Sequence, residues 1–271
     1  MPKVKINDSE ITYVEQGKGN EVFIYINPVQ ATGSREEMLS LFPSDYHFYL
    51  IELPPYNEHR HSKEFNLTKR WGDDIYDFSR KLGLEKFIYM GISRWGMVGY
   101  NLVLNHPEVI KGFIPIVSVP IPVEQRIDPG VYKALEAGDA EALTKSSSRD
   151  MFSPTTDKKR LERRERWQKL RSENTAPFNF AAERDLIYHL TDARKAFMPY
   201  LDQIKVPTLL LFGAKDPTNP VDQAIKSAMT IPGAKAVFFQ DYAHLLPVES
   251  PEKVVDEIIL FVNDLNTREK E

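Results

Sequence analysis

The sequence predicts an α/β fold, a mostly parallel central sheet flanked by helices. Two observations carry this. Short apolar runs of strand length alternate with segments of helical periodicity through the first 119 residues, and the same rhythm returns after about residue 205. Strand–helix–strand units at this tempo close as right-handed crossovers, which make neighbouring strands parallel. The 271 residues include 35 basic and 39 acidic side chains, a formal net charge of −4, with 42% hydrophobic and 27% charged residues. That composition suits a folded chain and excludes a polyanion binder relying on bulk charge, so nucleic acid is not an expected partner. The chain has no cysteine, which removes disulfides, thiolate metal sites and a cysteine nucleophile. The stretch MPKVKINDSEITYVEQGKGN lacks the apolar run of a secretory signal. No segment approaches the ~20 apolar residues that span a bilayer. A cytoplasmic protein without membrane contact is the expectation.

The elements follow in order. Residues 3–14 alternate like a half-buried strand, and EQGKGN makes a turn. The continuous apolar run 22–26 (VFIYI), stopped by Asn27-Pro28, reads as a buried central strand, as does 47–53 (HFYLIEL), stopped by Pro54-Pro55. Over 67–82, Leu67, Trp71, Ile75, Phe78 and Leu82 recur at helical spacing, with Gly83 as a C-cap. A strand at 87–90 (FIYM), a helix over 95–104 and a strand at 112–119 (GFIPIVSV) complete the first half.

From about 120 to 204 strand-like runs vanish and charged, helix-forming stretches take over. The chain thus divides into a sheet-bearing core, 1–119 with 205–271, and a helical insertion at 120–204. Within the insertion, the base-rich segment 158–171 (KKRLERRERWQKLR) reads as a solvated helix face, packing through Leu161, Trp167 and Leu170. Strands at 207–213 (PTLLLFG) and 236–240 (AVFFQ) and a helix from 251 to about 265 resume the α/β rhythm.

Open α/β sheets place their sites at the C-terminal ends of strands. After FIYM comes Gly91-Ile92-Ser93-Arg94-Trp95-Gly96; after TLLLF, Gly213-Ala214-Lys215-Asp216; after AVFFQ, Asp241-Tyr242-Ala243-His244. A hydroxyl, a carboxylate and an imidazole therefore occupy three loops at one sheet edge, the set that nucleophilic acyl transfer requires. Serine alone is a weak nucleophile. An imidazole takes its proton, and a carboxylate orients the imidazole and stabilises the imidazolium.

These stretches resemble the α/β-hydrolase superfamily, in particular its capped serine esterase, lactonase and C–C hydrolase branch. AHLLPVESPEKVVDEIILFV is similar to that family's histidine loop and final helix, including a glutamate and a proline after the histidine. PTLLLFGAKDPTNP is similar to its acid-bearing strand and loop. The resemblance implies Ser93 as nucleophile, Asp216 as acid and His244 as base, with the backbone N–H groups of Arg94 and Val29 as oxyanion donors. It implies further that 120–204 is a cap over the site. Three features depart from the family. Its nucleophile elbow reads G-x-S-x-G, whereas Trp95 takes the second small position here and glycine follows at Gly96. Asn27-Pro28 stands where the family has His-Gly. In ELPPYNEHRHS, Pro55 and Asn57 replace expected glycines.

The remaining candidates have plain readings. His59 and His61 lack partners at ligand spacing and read as a solvated loop, so no metal is expected. His106 caps the helix after Ser93, and His189 packs between helices of the insertion. No phosphate-cradling glycine motif is present. The expected activity is hydrolysis of a small apolar ester or lactone, without cofactor, by a monomer or homodimer. A C–C hydrolase or lyase on the same residues, or a receptor-like binder on the same scaffold, are the alternatives.

Overall fold

The computed structural model describes residues 2–7, 9–26, 32–54, 66–120, 129–139, 142, 151–173 and 197–268. Its strands are β1 (Lys3–Ile6), β2 (Ser9–Gly17), β3 (Glu21–Ile26), β4 (Tyr46–Glu52), β5 (Phe87–Ile92), β6 (Ile110–Ile116), β7 (Leu209–Gly213) and β8 (Lys235–Phe239). They form one sheet in the order β1-β2-β4-β3-β5-β6-β7-β8. Pairing is parallel from β4 through β8, and antiparallel for β1 with β2 and β2 with β4.

The central strands read as unbroken apolar runs because both faces are covered. Ile24, Ile26, Phe87 and Tyr89 face one core, and Phe23, Tyr25, Ile88 and Met90 face the other. The first core is closed by α2 (Leu67–Lys81) and α3 (Arg94–Asn105), the second by α1 (Thr32–Leu39) and α8 (Pro251–Arg268). Helix α2 starts where Asn66 accepts the Lys69 N–H at 3.0 Å and ends before Gly83 at φ 70°. The remaining described helices are α4 (Pro129–Ala137), α5 (Lys158–Glu173), α6 (Val221–Thr230) and the single turn α7 (Leu246–Glu249). Among the described residues no helix is long and apolar enough to cross a membrane.

Three local expectations need correction. Residues 3–14 are two strands, not one. The chain reverses at Asn7, whose φ of 42° is a conformation asparagine tolerates, and β1 folds back onto β2. Strand β6 stops at Ile116, three residues earlier than its apolar run suggests. Val117 turns the chain with φ 45°, an unfavourable angle for a β-branched residue, held by its N–H bond to Leu211 O at 2.8 Å.

The third correction concerns α5. Its packing side is arginine: Arg160 and Arg163 are 8% and 5% exposed alongside Trp167, whereas Leu161 is 38% exposed. Leu170 is partly exposed. The arginines are buried because carboxylates meet them. Arg160 and Arg164 reach Glu249, Arg163 reaches Glu37 and Glu252, and Arg166 reaches Glu37. A local reading of charge cannot see partners that are distant in sequence.

Helix α3 lies so close to the sheet that Gly99 has no room for a side chain. A Cβ there would sit 2.3 Å from the Phe113 ring and 2.5 Å from the Tyr89 ring. Gly99→Ala is therefore expected to destabilise the fold by about 1–3 kcal/mol despite alanine's better helix propensity. Equilibrium unfolding in urea measures this, and an unchanged midpoint contradicts the close packing.

Candidate active site

Strands β5 and β7 and the chain after β8 deliver the three sequence-derived side chains to one edge of the sheet. Ser93 sits between β5 and α3 with φ 54° and ψ −121°, a strained left-handed turn. Its N–H donates to Ile116 O at 2.8 Å, tying the turn to β6. The turn is tight. A Cβ on Gly91 would meet the Trp95 carbonyl group at 2.6 Å, and one on Gly96 would meet the Ser118 side chain at 2.6 Å. Gly96 thus supplies the second small residue, while the Trp95 indole leaves the turn and packs on Trp71, with ring centroids 5.4 Å apart. The Trp95 backbone carbonyl accepts the Tyr89 hydroxyl at 2.5 Å. The indole is accommodated without displacing Ser93.

At the end of β7, Gly213 passes beneath the histidine loop. A Cβ there would lie 2.4 Å from Ala243 O and 2.5 Å from Tyr242 O. The absent side chain lets the two loops close, and the Lys215 N–H donates to Tyr242 O at 2.9 Å. Asp216 and His244 are consequently 4% and 5% exposed. His244 Nδ1 stands 2.8 Å from Asp216 Oδ2, and its Nε2 stands 3.0 Å from Ser93 Oγ. With Nδ1–H donated to the carboxylate, Nε2 presents a lone pair to the serine hydroxyl.

Asp216 is held by more than the imidazole. Its Oδ1 accepts the backbone N–H groups of Thr218 at 2.8 Å and Asn219 at 3.0 Å, and its Oδ2 accepts the Asn219 side-chain amide at 3.1 Å. Burial pushes the Asp216 carboxyl up. The attraction and hydrogen bond of His244 and the bonds from Asn219 outweigh it, leaving the group below the ordinary carboxylate value. A buried carboxylate is thereby kept ionised.

Asn219 carries no distinguishing signal in the sequence. Between prolines in DPTNP it reads as one more turn residue. It is 1% exposed, and its Oδ1 accepts the Val119 N–H at 2.9 Å, pinning the acid loop to the chain after β6. The other candidates are placed as follows. Arg94 is the first residue of α3, where backbone N–H groups point out of the helix end. Val29, Asn27-Pro28, Pro55, Asn57, His59, His61 and His189 lie outside the described residues. His106 is the C-cap of α3, stacked on Tyr76 and 2.9 Å from Asp73. Among the described residues no group of three or more histidine and carboxylate side chains could hold a metal ion.

Removing the Asn219 amide tests the acid's surroundings. Asn219→Ala leaves the Val119 N–H without its acceptor and is expected to cost about 1–3 kcal/mol of stability at neutral pH. Part of that cost is linked to pH. A carboxyl held low in the folded state stabilises it above the unfolded value of ~3.9, and the contribution is lost as pH falls through the folded value. The gap between wild type and variant should therefore narrow below about pH 4. Denaturant titration at several pH values measures it, and a gap that widens on acidification contradicts the assignment.

Comparison with known proteins agrees with this architecture. The family described as the alpha/beta hydrolase fold matches residues 33–251. Carboxylesterase YbfK of Bacillus subtilis is 29% identical over 201 residues, which is 71% of this chain and 62% of the esterase. A thermophilic esterase from Thermogutta terrifontis superposes with a TM-score of 0.72 at 19% identity, over 98% of this chain and 99% of its own. The enol-lactonase from Burkholderia xenovorans LB400 superposes at 0.73 and 17% identity, over 97% of this chain and 100% of its own. At those identities the structural likeness speaks for the fold, and the family match extends through the loops that carry Ser93 and Asp216 to His244. The chain belongs to the α/β-hydrolase fold family and is a hydrolytic enzyme.

Proposed function

We propose that this hydrolase cleaves small apolar carboxylic esters or lactones through a Ser93–His244–Asp216 triad and an acyl-enzyme. One observation carries the reading: the His244 ring bridges Asp216 Oδ2 at 2.8 Å and Ser93 Oγ at 3.0 Å, each through a different nitrogen. His244 Nε2 takes the Ser93 proton as Oγ attacks the substrate carbonyl carbon. The new oxyanion is met by the backbone N–H groups of Arg94 and Val29. His244 then returns its proton to the leaving alcohol, and the C–O bond breaks. Water, deprotonated by the same nitrogen, attacks the acyl-enzyme; the acid is released and Ser93 regains its proton. In a lactone the leaving alcohol stays attached to the acid and departs with it.

Asp216 supports each proton transfer by keeping Nδ1 protonated and stabilising the imidazolium, and it does so as a buried, ionised carboxylate. The insertion at 120–204 acts as a cap that completes an apolar pocket above the sheet edge. Such pockets favour small apolar acyl groups.

The test pairs a fluorophosphonate probe with a panel of short-chain esters and lactones. Wild type is expected to label at a single serine. Ser93→Ala should lose both labelling and turnover, the latter by on the order of 10⁴-fold or more. Hydrolysis retained by folded Ser93→Ala overturns the assignment of the nucleophile, and a folded wild type that neither labels nor turns over any substrate overturns the reading as a whole.

A further inference from the structure

The loop that carries His244 receives much of its support from the insertion. Asp241 O accepts the Ser153 hydroxyl at 2.5 Å and Arg160 Nη2 at 2.9 Å, and the Leu245 N–H, adjacent to His244, donates to Met151 O at 2.9 Å. Arg160 also lies over the Tyr242 ring at 4.3 Å. The same guanidinium grips the far end of the loop. Its Nε and Nη2 donate to Glu249 Oε1 at 3.1 and 2.8 Å, and Arg164 adds a second fork to that oxygen. The Glu249 side chain is fully buried, and Arg160 is 8% exposed. Trp167 closes the contact against Leu245 and Val248. One arginine thus spans residues 241 to 249 with His244 between its two grips.

We infer that Arg160 is a positioning residue for His244, so that the insertion holds the base in register with Ser93 as well as lying beside it. This rests on the triad reading above. The physical reason is directional. A planar guanidinium donating at once to a carbonyl and to a buried carboxylate fixes the distance between them, and the intervening loop has little freedom left. A lysine keeps the charge but cannot span both acceptors with fixed geometry. Misplacement of a reacting group by about 1 Å costs up to ~10²-fold in rate, whereas binding of the acyl group does not depend on His244.

The experiment compares Arg160→Met, Arg160→Lys and Ser153→Ala with wild type, using Lys159→Met as a control on the same helix, where Lys159 pairs, among the described residues, with the partly exposed Glu252. Turnover is expressed per site titrated with fluorophosphonate, which corrects for any unfolded fraction. In parallel, proton NMR follows the downfield Nδ1 proton of His244, assigned by its absence in His244→Asn. Arg160→Met is expected to lose roughly 10- to 100-fold in kcat with KM little changed. It should also broaden or shift the His244 signal, with Arg160→Lys and Ser153→Ala intermediate and Lys159→Met like wild type. Unchanged kcat per site and an unchanged His244 signal in Arg160→Met overturn the proposal, as does an equal loss in Lys159→Met. Should Arg160→Met not fold, Ser153→Ala is judged by the same two readouts. If wild type hydrolyses none of the panel, the failure belongs to the proposed function, and the NMR comparison still decides whether Arg160 positions the imidazole.

Discussion

A parallel sheet sends the C-terminal ends of its strands to one edge, and that geometric constraint underlies the site. Ser93, Asp216 and His244 are separated by up to 151 positions in the chain, yet each follows a strand of the parallel section. What remains is to bring three loops within hydrogen-bond distance, and the chain does this largely with missing side chains. Gly91 and Gly96 let the Ser93 turn close, and Gly213 lets the histidine loop pass over the end of β7. At each position a Cβ would meet backbone or buried atoms at under 3 Å.

Burial then sets the electrostatics. A carboxylate as buried as Asp216 is stable as an ion only where donors surround it, and His244, Asn219 and the Thr218 N–H provide them. The same rule operates a few residues away. Glu249 is buried against Arg160 and Arg164 of α5, and Arg163 of the same helix is buried against Glu37 and Glu252. Neither side of such a network is tolerated inside without the other. The chemistry at the sheet edge and the docking of α5 thus follow one principle, the pairing of charge away from water.

Features carried by local pattern were legible in the sequence. Buried strands declared themselves as unbroken apolar runs, α2 by its 3.6-residue spacing, and the site by polar residues standing directly after strands. Features that depend on distant partners were not legible. The arginines of α5 look solvated until Glu249, 85 positions from Arg164, is brought beside them. Asn219 looks like a turn former until Val119 is seen to need an acceptor. The early end of β6 at Val117 has no local signal, because an apolar residue in a strained turn reads like an apolar residue in a strand. Trp95 in the elbow marked a real departure, and its outcome depended on whether Trp71 left room for the indole.

By itself, then, the amino-acid order determined the α/β class, the order of most elements and the positions at which a hydroxyl, a carboxylate and an imidazole meet the sheet edge. Periodicity and strand termini are properties of neighbouring residues. Only the tertiary structure decided which side of α5 is buried, how the Ser93 turn absorbs a tryptophan and which groups keep Asp216 ionised. Each of those outcomes turns on the free energy of removing a group from water, and that depends on partners that sequence distance does not reveal.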